Sequence, residues 1–327
     1  MNRNNSTHPE LSVVIVTPDR YETIRKTIHH LQSQKMREQL EVVIVVPSKE
    51  ELHLVEEEII DFSQFRIIEV GPIKSTAKAR AVGVRQASAP VIAFVEDHSY
   101  PAPGWAEALI TAHKEPWAAV GPVMGNANPE NRTSWADMLI SYGRWLDPAP
   151  EGMIDSLPGH NSSYKRAILL AYGPVLEKML EVESVLHWDL GAKGYHLYLT
   201  PAAKTFHLNF ERLFSWLSVQ FYAGRLFASR RVQHWSFPRR FFYFTLSPLI
   251  PWIRLFRILR ELRQPGRPRN LLPNILPALA IGLILNGAGE MMGYVFGGGK
   301  AMGKLSDMEF HRYRYLKKHD KRAFIDP

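Results

Sequence analysis

The chain has 327 residues and a formal net charge of +8, and it contains no cysteine. The absence of cysteine excludes a disulfide framework, a thiolate metal site and a cysteine nucleophile. The length suits one large domain with an appendage, and the polar stretch 1–10 lacks the apolar core of a secretory signal, so nothing indicates secretion.

The charge is unevenly distributed along the chain. From Glu211 onward there are 20 lysines and arginines against 7 acidic residues, whereas the part before it has 20 against 25. A basic half that is also rich in aromatic residues predicts an anionic membrane surface as its partner. Nucleic acid is the rival partner, but this half is too apolar for it, and we expect no nucleic-acid binding.

Short apolar runs alternate with helical patterns in the first half of the chain. The predicted strands are 11–16, 42–46, 65–70 and 91–95, and the helical patterns between them include 24–31, 49–60 and 77–87. This rhythm predicts right-handed crossovers and a mostly parallel α/β sheet with helices on both faces. The apolar runs do not alternate with polar residues, which fits strands covered on both sides.

The central predicted strand, 91–95, ends abruptly at Glu96, Asp97 and His98. Open α/β sheets bind their ligands at the carboxyl ends of strands, so these side chains are candidates for a site. Carboxylates with one imidazole suit Mg²⁺ or Mn²⁺ better than zinc. The alternative is a strand that ends in a solvated acidic turn.

The same stretch continues into Pro101-Ala-Pro-Gly-Trp105. It resembles the metal-binding DxD region, with its Pro-x-Pro-Gly-Trp-like turn, of family 2 glycosyltransferases. Those enzymes use nucleotide sugars and have the α/β fold called GT-A. The chain departs from the family pattern, since Glu96 and His98 flank a single aspartate, Asp97. The resemblance implies that Asp97 and His98 bind a metal ion and that Glu96 and Asp97 face the nucleotide sugar.

Other nucleotide-sugar candidates follow from the order of the strands and from the resemblance. The loops after the first two strands face the ligand in such a sheet. The family also carries a basic residue near the nucleotide in the segment before the central strand, where a cation could meet a diphosphate. Ordinary helix solubility is the alternative for that cation, and the acidic pair that usually ends the family's second strand is missing. These candidates are Thr17, Asp19, Ser48, Lys78 and Arg80.

The stretch after Trp105 is predicted to be a helix to about His113, followed by a strand over 117–125. Residues 126–154 then predict a long loop with a helical piece near 135–145. Long loops in compact domains are often functional.

The turn from Gly159 to Arg166 resembles the acceptor-side GxNxxxRR loop of the family. This resemblance implies an acceptor-side role for Asn161 and for the two basic residues Lys165 and Arg166.

The chain then carries acidic residues before a helix that ends in Gly194-Tyr195. The resemblance places Glu183 on the family's general base, which takes the proton of the acceptor hydroxyl in an inverting transfer. A carboxylate serves in this way if its environment raises its pKa. Glu181 and Asp189 are the alternative bases, and an acid that only caps a helix N-terminus is the alternative role for Glu183.

A short strand is predicted over 196–199, and His207 closes the domain. In related enzymes a histidine here reaches back to the metal, which implies that His207 is a further ligand. A structural histidine is the alternative.

The second half is predicted to associate with a membrane. Residues 213–231 form a basic, aromatic helix typical of a membrane surface. The apolar stretch 241–259 is broken by prolines and arginines, whereas 271–296 is long enough to span a bilayer. Full span, hairpin and shallow re-entrant pair remain alternatives, and the re-entrant pair best keeps both flanking basic segments, 260–269 and 312–322, in the cytoplasm. A soluble helical domain is a further alternative.

The long apolar segment holds two features that call for partners. Gly289, Gly293 and Gly297 recur at intervals of four, a spacing that allows close helix packing, and we expect this face to pair with a second copy of the chain. Glu290 is costly in an apolar segment and predicts a functional role or a buried partner such as Arg254.

The sequence therefore predicts a GT-A catalytic domain over 11–210 behind the polar tail 1–10. An interfacial helical region over 211–270, a transmembrane or re-entrant helix over 271–299 and a basic tail over 300–327 follow. We expect a metal-dependent inverting glycosyltransferase, with Mg²⁺ or Mn²⁺ and a nucleoside-diphosphate sugar, acting on a lipid-linked or surface-glycan acceptor at the cytoplasmic face of the membrane. The alternatives are a non-catalytic relative that binds a nucleotide sugar or tethers a partner at the membrane, and a nucleotidyltransferase on a similar sheet. The last is disfavoured because the first loop of this chain lacks the Gly- and Lys/Arg-rich pattern with which such enzymes hold a triphosphate.

Overall fold

The structure, a computed structural model, describes residues 8–59 and 62–316. Residues 1–7 of the predicted N-terminal tail and 317–327 of the predicted basic tail lie outside the described residues. The described chain divides into two compact units. The first comprises residues up to Gly125 together with Ala149–His207, and the second comprises Asn126–Pro148 together with the residues from Leu208 onward.

Nine strands lie in the described residues: β1 Leu11–Val16, β2 Leu40–Val46, β3 Gln64–Glu69, β4 Val91–Phe94, β5 Ser99–Pro101, β6 Ala119–Asn126, β7 Gly152–Ile154, β8 Ser163–Lys165 and β9 Leu197–His207. The helices in the same part of the chain are α1 Tyr21–Gln32, α2 Lys49–Leu52, α3 Thr76–Gln86, α4 Trp105–Ala112, α5 Arg132–Tyr142, α6 Arg166–Leu170, α7 Leu176–Met179, α8 Glu183–Ala192, α9 Leu213–Arg231, α10 Phe237–Leu246, α11 Ile250–Leu262, α12 Leu272–Phe296 and α13 Ala301–Phe310.

The first unit is built on one mixed sheet with the strand order β3-β2-β1-β4-β8-β6-β9-β5, and β7 pairs with β9. The pairs β1–β2, β2–β3 and β1–β4 are parallel, as predicted. The pairs of β8 with β4 and β6, and of β9 with β5 and β7, are antiparallel. The sheet is therefore parallel in its first half and mixed as a whole, because its later strands return without helical crossovers.

The core of this unit explains the apolar runs of the sequence. Every residue of β1 and β2 is buried, and α1 packs its apolar positions Ile24, Ile28 and Leu31 in the same cluster. The predicted helix over 49–60 is shorter than expected. It ends after Leu52, where His53 adopts a left-handed conformation with φ of 52° that does not continue a helix. The last strand is longer than expected and runs from Leu197 to His207.

The second unit contains α5 and the helices α9–α13. The glycines of α12, Gly289 and Gly293, pack against α9 of the same chain. A Cβ added to Gly289 would lie 2.0 Å from the carbonyl oxygen of Phe221, and one added to Gly293 would lie 2.4 Å from that of Arg225. The expected close helix packing is thus confirmed for Gly289 and Gly293, within the chain itself. The pairing of two copies through this face stays a prediction.

The buried acid of α12 has the partner that the sequence indicates. Arg254 on α11 places its Nη2 atom 3.2 Å from Glu290 Oε1 and donates from Nη1 to Asn286 Oδ1 at 2.6 Å. Tyr294 donates to the other Glu290 oxygen at 2.9 Å. In the described residues, the one helix long and apolar enough to cross a membrane covers Arg269–Phe296, and a third of its apolar window is buried within the protein.

Candidate active site

The turn that follows β4 is buried and held from two sides. Glu96, Asp97 and His98 are 8%, 7% and 2% exposed. Thr27 of α1 donates its hydroxyl to the carbonyl oxygens of Asp97 and Ser99, at 3.0 and 3.1 Å. The strand β5 then pairs with the end of β9. This sheet pairing, together with α1, fixes where the three side chains point.

The pairing of β5 with β9 also brings in a fourth side chain. Ser99 lies opposite His207 in the antiparallel register. His207 Nε2 is 3.4 Å from Glu96 Oε2, His98 Nε2 is 3.9 Å from Glu96 Oε1, and the two imidazole rings meet edge to face at 4.9 Å. One ligand atom from each of these three residues lies within 4.8 Å of the others, which is close enough to share one metal ion.

The donor set fits a divalent cation. Two imidazole nitrogens and a carboxylate form a mixed set that suits Mn²⁺ better than Mg²⁺, because Mg²⁺ prefers oxygen ligands alone. Burial alone would raise the pKa of Glu96, but His98, His160 and His207 around it hold that pKa well below its ordinary value. Glu96 is therefore ionised at neutral pH, as a metal ligand must be.

Asp97 contacts the candidate metal ligands through His98. Its Oδ1 atom lies 2.6 Å from His98 Nδ1, so the carboxylate fixes which imidazole nitrogen of His98 faces Glu96. A carboxylate behind a metal-binding histidine commonly orients the ring and increases its basicity.

His160 links this turn to the predicted base. Its Nδ1 atom is 3.1 Å from Glu96 Oε1 and its Nε2 atom is 2.8 Å from Glu183 Oε2. Burial alone would lower the pKa of His160, but Glu183 and Glu96 raise it to about 10. A charged imidazolium that donates to both carboxylates therefore lies between them.

Glu183, the first residue of α8, is 6% exposed and also pairs with a buried arginine. Arg80 Nη1 donates to Glu183 Oε1 at 3.0 Å, and its guanidinium lies 5.6 Å from the centre of the Phe94 ring. Burial alone would raise the pKa of Glu183, but His160 and Arg80 outweigh it and the pKa is lowered. The carboxylate is ionised, which is the form that accepts a proton, although the raised pKa of a strong base is not found.

Gly159 shows how closely these segments approach. A Cβ atom at this position would lie 2.2 Å from Glu183 Cβ and 2.6 Å from its Cγ. The loop before His160 can therefore pass α8 only where a side chain is missing.

The other predicted site residues fall into two groups. Asn161 joins the site, since its Nδ2 atom donates to Glu96 Oε2 at 2.7 Å. Lys165 lies opposite Val91, at the start of β4 and away from Glu96, and it donates to the Glu115 carbonyl. Arg166 donates to the carbonyl oxygens of Val84 and Arg85 at the end of α3. The structure thus brings Asn161 to the acidic turn and does not bring the two basic side chains there.

The predicted nucleotide side is assembled from the parallel half of the sheet. Thr17 and Asp19 follow β1, and Ser48 follows β2, so all three stand at carboxyl ends of neighbouring strands. The Thr17 hydroxyl accepts from the Asp19 amide at 3.3 Å and forms a hydrogen bond with the Thr23 hydroxyl at 3.2 Å. On α3, Arg80 faces Glu183, whereas Lys78 is exposed beyond the N-cap Ser75.

The two alternative bases, Asp189 and Glu181, have contacts with residues other than those around Glu96. Asp189 pairs with Lys193 at 2.6 Å and accepts from Tyr172 at 2.5 Å, within the partly exposed part of α8. Glu181 precedes α8, and its amide donates to the carbonyl oxygen of Lys178 at 3.3 Å. The sequence did not predict His160 as a site residue, although it lies between Gly159 and Asn161 in the turn that resembles the acceptor-side loop.

A parallel α/β half-sheet, an acidic turn after its fourth strand, and a returning strand that ends in a histidine at that turn define the GT-A class of nucleotide-sugar-dependent glycosyltransferases. Residues 12–173 match the sequence profile described as glycosyl transferase family 2. The chain therefore contains a family 2 glycosyltransferase domain, and the protein is a glycosyltransferase.

Solved structures of glycosyltransferases are similar to the chain, and the first of those that follow supports the fold. Residues 1–349 of TarS from S. aureus superpose with a TM-score of 0.50 at 16% identity, covering 89% of this chain and 90% of that chain. Mannosyltransferase PcManGT from Pyrobaculum calidifontis, solved with GDP-Man and Mn²⁺, gives 0.48 at 16% identity, covering 98% and 86%. GalNAc-T7, solved with UDP, GalNAc and Mn²⁺, gives 0.47 at 15% identity, covering 62% of this chain and 44% of that chain. No curated protein sequence matches the chain.

Proposed function

We propose that the protein transfers a sugar from a nucleoside-diphosphate donor to a lipid-linked or surface-glycan acceptor, with inversion at the anomeric carbon. The observation that supports this function is the continuous cluster from His207 and His98 through Glu96 and His160 to Glu183. It joins a cation-binding group to an ionised carboxylate at the carboxyl end of β4, where sheets of this class bind ligands.

Glu96, His98 and His207 are the proposed metal ligands, and Asp97 orients His98. A bound divalent cation supplies charge neutralisation for the leaving nucleoside diphosphate. The two imidazoles favour Mn²⁺ over Mg²⁺, so we expect half-maximal activity at a lower concentration of Mn²⁺.

The nucleotide lies, in this proposal, across the ends of β1 and β2. Thr17, Asp19 and Ser48 provide hydroxyl and carboxylate groups for base and ribose there. Lys78 is an exposed cation for the diphosphate. Arg80 instead pairs with the Glu183 carboxylate and fixes its position.

Glu183 is the proposed general base. Its ionised carboxylate accepts the proton of the acceptor hydroxyl while that oxygen attacks the anomeric carbon from the face opposite the leaving group. Arg80 and His160 fix the position of this carboxylate, and Asn161 fixes Glu96, so the two acids keep a constant separation.

The helices α10–α12 support action at a membrane surface. Large apolar side chains of this part are exposed, among them Phe237, Phe242, Trp252, Phe256 and Ile284 at 65%, 57%, 71%, 64% and 57%. Soluble proteins rarely expose apolar patches of this kind. The excess of arginine in the same segments favours anionic lipids on the cytoplasmic side.

The test is breakdown of nucleotide sugars by the purified full chain, followed by mass spectrometry, with Mn²⁺, with Mg²⁺ and with a chelator. We expect metal-dependent release of a nucleoside diphosphate from at least one common donor. Glu96→Gln should lose metal binding and activity together, whereas Glu183→Gln should retain metal binding while activity is lost. Binding of a nucleotide sugar without any turnover would instead establish the non-catalytic alternative.

A further inference from the structure

The residues His207, His98, Glu96, His160 and Glu183 form the charged cluster described above. The first unit has an open pocket of about 500 Å³ outside this cluster. It is lined by the edge strand β7, the last turns of α8 and the start of β9. Three of its apolar side chains reach solvent: Met153, Trp188 and Tyr195 are 69%, 44% and 43% exposed. Asp155 and His196 also line it and are exposed, so aromatic faces stand beside polar groups, whereas the lining residue His187 is buried.

Such a lining has a specific chemical complement. Trp and Tyr present a flat apolar face together with a polar edge, and binding pockets combine apolar walls with few polar groups that fix orientation. A pyranose ring has a C–H face that stacks on an aromatic ring and a rim of hydroxyls for a carboxylate or an imidazole. The floor is kept low by Gly191 and Gly194, at which an added Cβ would meet nothing within 4 Å.

Two chain segments connect this pocket with the charged cluster. The helix α8 begins at Glu183 and reaches the pocket at His187, one turn or about 6 Å along its axis. The loop that carries His160 begins next to Asp155, and the Leu157 amide in it donates to His187 Nδ1 at 3.4 Å. Along the helix axis the pocket therefore extends from about 6 Å to about 14 Å beyond the proposed base, since Tyr195 follows the end of α8 at Ala192.

We propose that this pocket is an acceptor subsite that holds a pyranose ring stacked on Trp188 and Tyr195. This inference rests on the proposed function and narrows its acceptor. The acceptor is a saccharide chain of at least two residues, whose reacting hydroxyl lies at Glu183 while a further ring occupies the pocket. A bare lipid phosphate would leave these aromatic faces without a ligand.

The test uses the full chain labelled with 5-fluorotryptophan and observed by fluorine NMR. The sequence has eight tryptophans, so Trp188→Phe assigns the resonance of interest and the other seven serve as internal controls. The probes are α- and β-linked disaccharides of glucose, mannose, galactose and N-acetylglucosamine at millimolar concentration, without donor or metal.

We expect at least one disaccharide to shift the Trp188 resonance in a saturable way, and Tyr195→Ala to weaken that binding about tenfold or more. Val175→Ala, at a residue 51% exposed in the same unit, is the matched variant and should bind like the parent. If no disaccharide shifts this resonance, or if Tyr195→Ala binds unchanged, the subsite is refuted.

Donor breakdown separates this inference from the proposed function. Val175→Ala should release nucleoside diphosphate from the donor at the parent rate with water as acceptor, because this exposed residue lines neither the pocket nor the charged cluster. A chain that binds disaccharides at Trp188 but never breaks down a donor would contradict the proposed function and leave a saccharide-binding site. A chain that breaks down donors without binding disaccharides would contradict only the subsite.

Discussion

Two adjacent residues in the loop before β8, Gly159 and His160, determine how this loop contacts α8 and the two carboxylates. The glycine allows the loop to touch α8, and the neighbouring histidine then reaches two carboxylates that come from distant parts of the chain. Neither contact depends on a long motif. Both depend on the loop approaching the first turn of α8 without a side chain in between.

Gly159→Ala is expected to displace Glu183. The added Cβ would lie 2.2 Å from Glu183 Cβ, an atom fixed to the backbone that cannot rotate away. We expect a loss of about 1–3 kcal/mol in the free energy of unfolding and a loss of donor breakdown of at least tenfold. Chemical denaturation and the donor assay measure the two effects.

The matched control is Gly303→Ala in α13, where an added Cβ meets nothing within 4 Å. Alanine is the better helix former, so this variant should be as stable as the parent or slightly more so. Parent-like stability and activity in Gly159→Ala would show that the loop and α8 do not approach as described.

Asp97→Asn tests the role of the residue behind His98. The amide keeps the size of the side chain but removes the charge that faces His98 Nδ1 at 2.6 Å. Loss of such a supporting carboxylate typically weakens metal binding about 10–100-fold. Titration with Mn²⁺ followed by electron paramagnetic resonance reads out the affinity without relying on catalysis.

His234→Ala, at an exposed histidine, controls for nonspecific loss of a histidine and should leave Mn²⁺ binding unchanged. An unchanged Mn²⁺ affinity in Asp97→Asn would mean that Asp97 neither orients His98 nor binds the ion.

At the scale of elements, the second unit combines a buried face with an exposed apolar face. In α12, Gly289 and Gly293 are used against α9, and Glu290 is used against Arg254 of α11. The opposite sides of α10–α12 carry exposed aromatic and aliphatic residues. These exposed apolar sides are the surfaces that contact the membrane in the proposed function.

Trp252 and Phe256 are four residues apart on α11 and share a face. We expect the double substitution of both to serine to weaken binding to vesicles of phosphatidylglycerol and phosphatidylcholine by at least about a hundredfold, since each buried aromatic contributes about 1.5–3 kcal/mol. Flotation of the full chain with such vesicles measures the bound fraction.

Val175→Ser, at an exposed apolar residue of the first unit, is the control and should float like the parent. Equal flotation of the double variant and the parent would show that α11 does not contact the membrane. Raising the salt concentration should weaken binding in the parent only in part, because the apolar contribution is not screened.

At the scale of the whole molecule, two buried histidines of the first unit predict how stability depends on pH. Burial lowers the pKa of His187 to about 4, although Glu183 and Asp155 act against this shift. Burial and the charge of Lys165 lower the pKa of His113 to about 3. The neutral rings bond to Tyr164 at 2.8 Å and to Ser163 at 2.9 Å.

A histidine with a folded-state pKa below its unfolded value of about 6.5 binds fewer protons in the folded state. The folded protein should therefore lose stability as the pH falls below about 6.5, by about 2 kcal/mol for each histidine at pH ~5. Urea denaturation at several pH values measures this slope. His187→Gln should flatten it by about one proton, and an unchanged slope would show that His187 does not stay neutral on folding.

Much of the fold followed from the sequence, because its signals are local. The buried strands β1, β2 and β4 are apolar runs, interrupted by Ser12 in β1 and Glu41 in β2, and the helix over 213–231 has the bounds that its pattern predicts. The match to family 2 and the GT-A fold confirm the resemblance that the acidic turn and the Pro-x-Pro-Gly-Trp stretch carried. The pairing of Arg254 with Glu290 was also within reach, because an acid in an apolar helix needs a cation.

What the tertiary structure alone decided are the relations between segments distant in sequence. The length of β9 depends on the partners β5 and β7, and the cover of the glycine face depends on α9, neither of which a local pattern reveals. The same holds for His160, whose charge exists only because Glu96 and Glu183 meet on its two sides. The sequence determines which chemical group stands at each position. The electrostatic environment and the close contacts that give each group its role form only when the chain has folded.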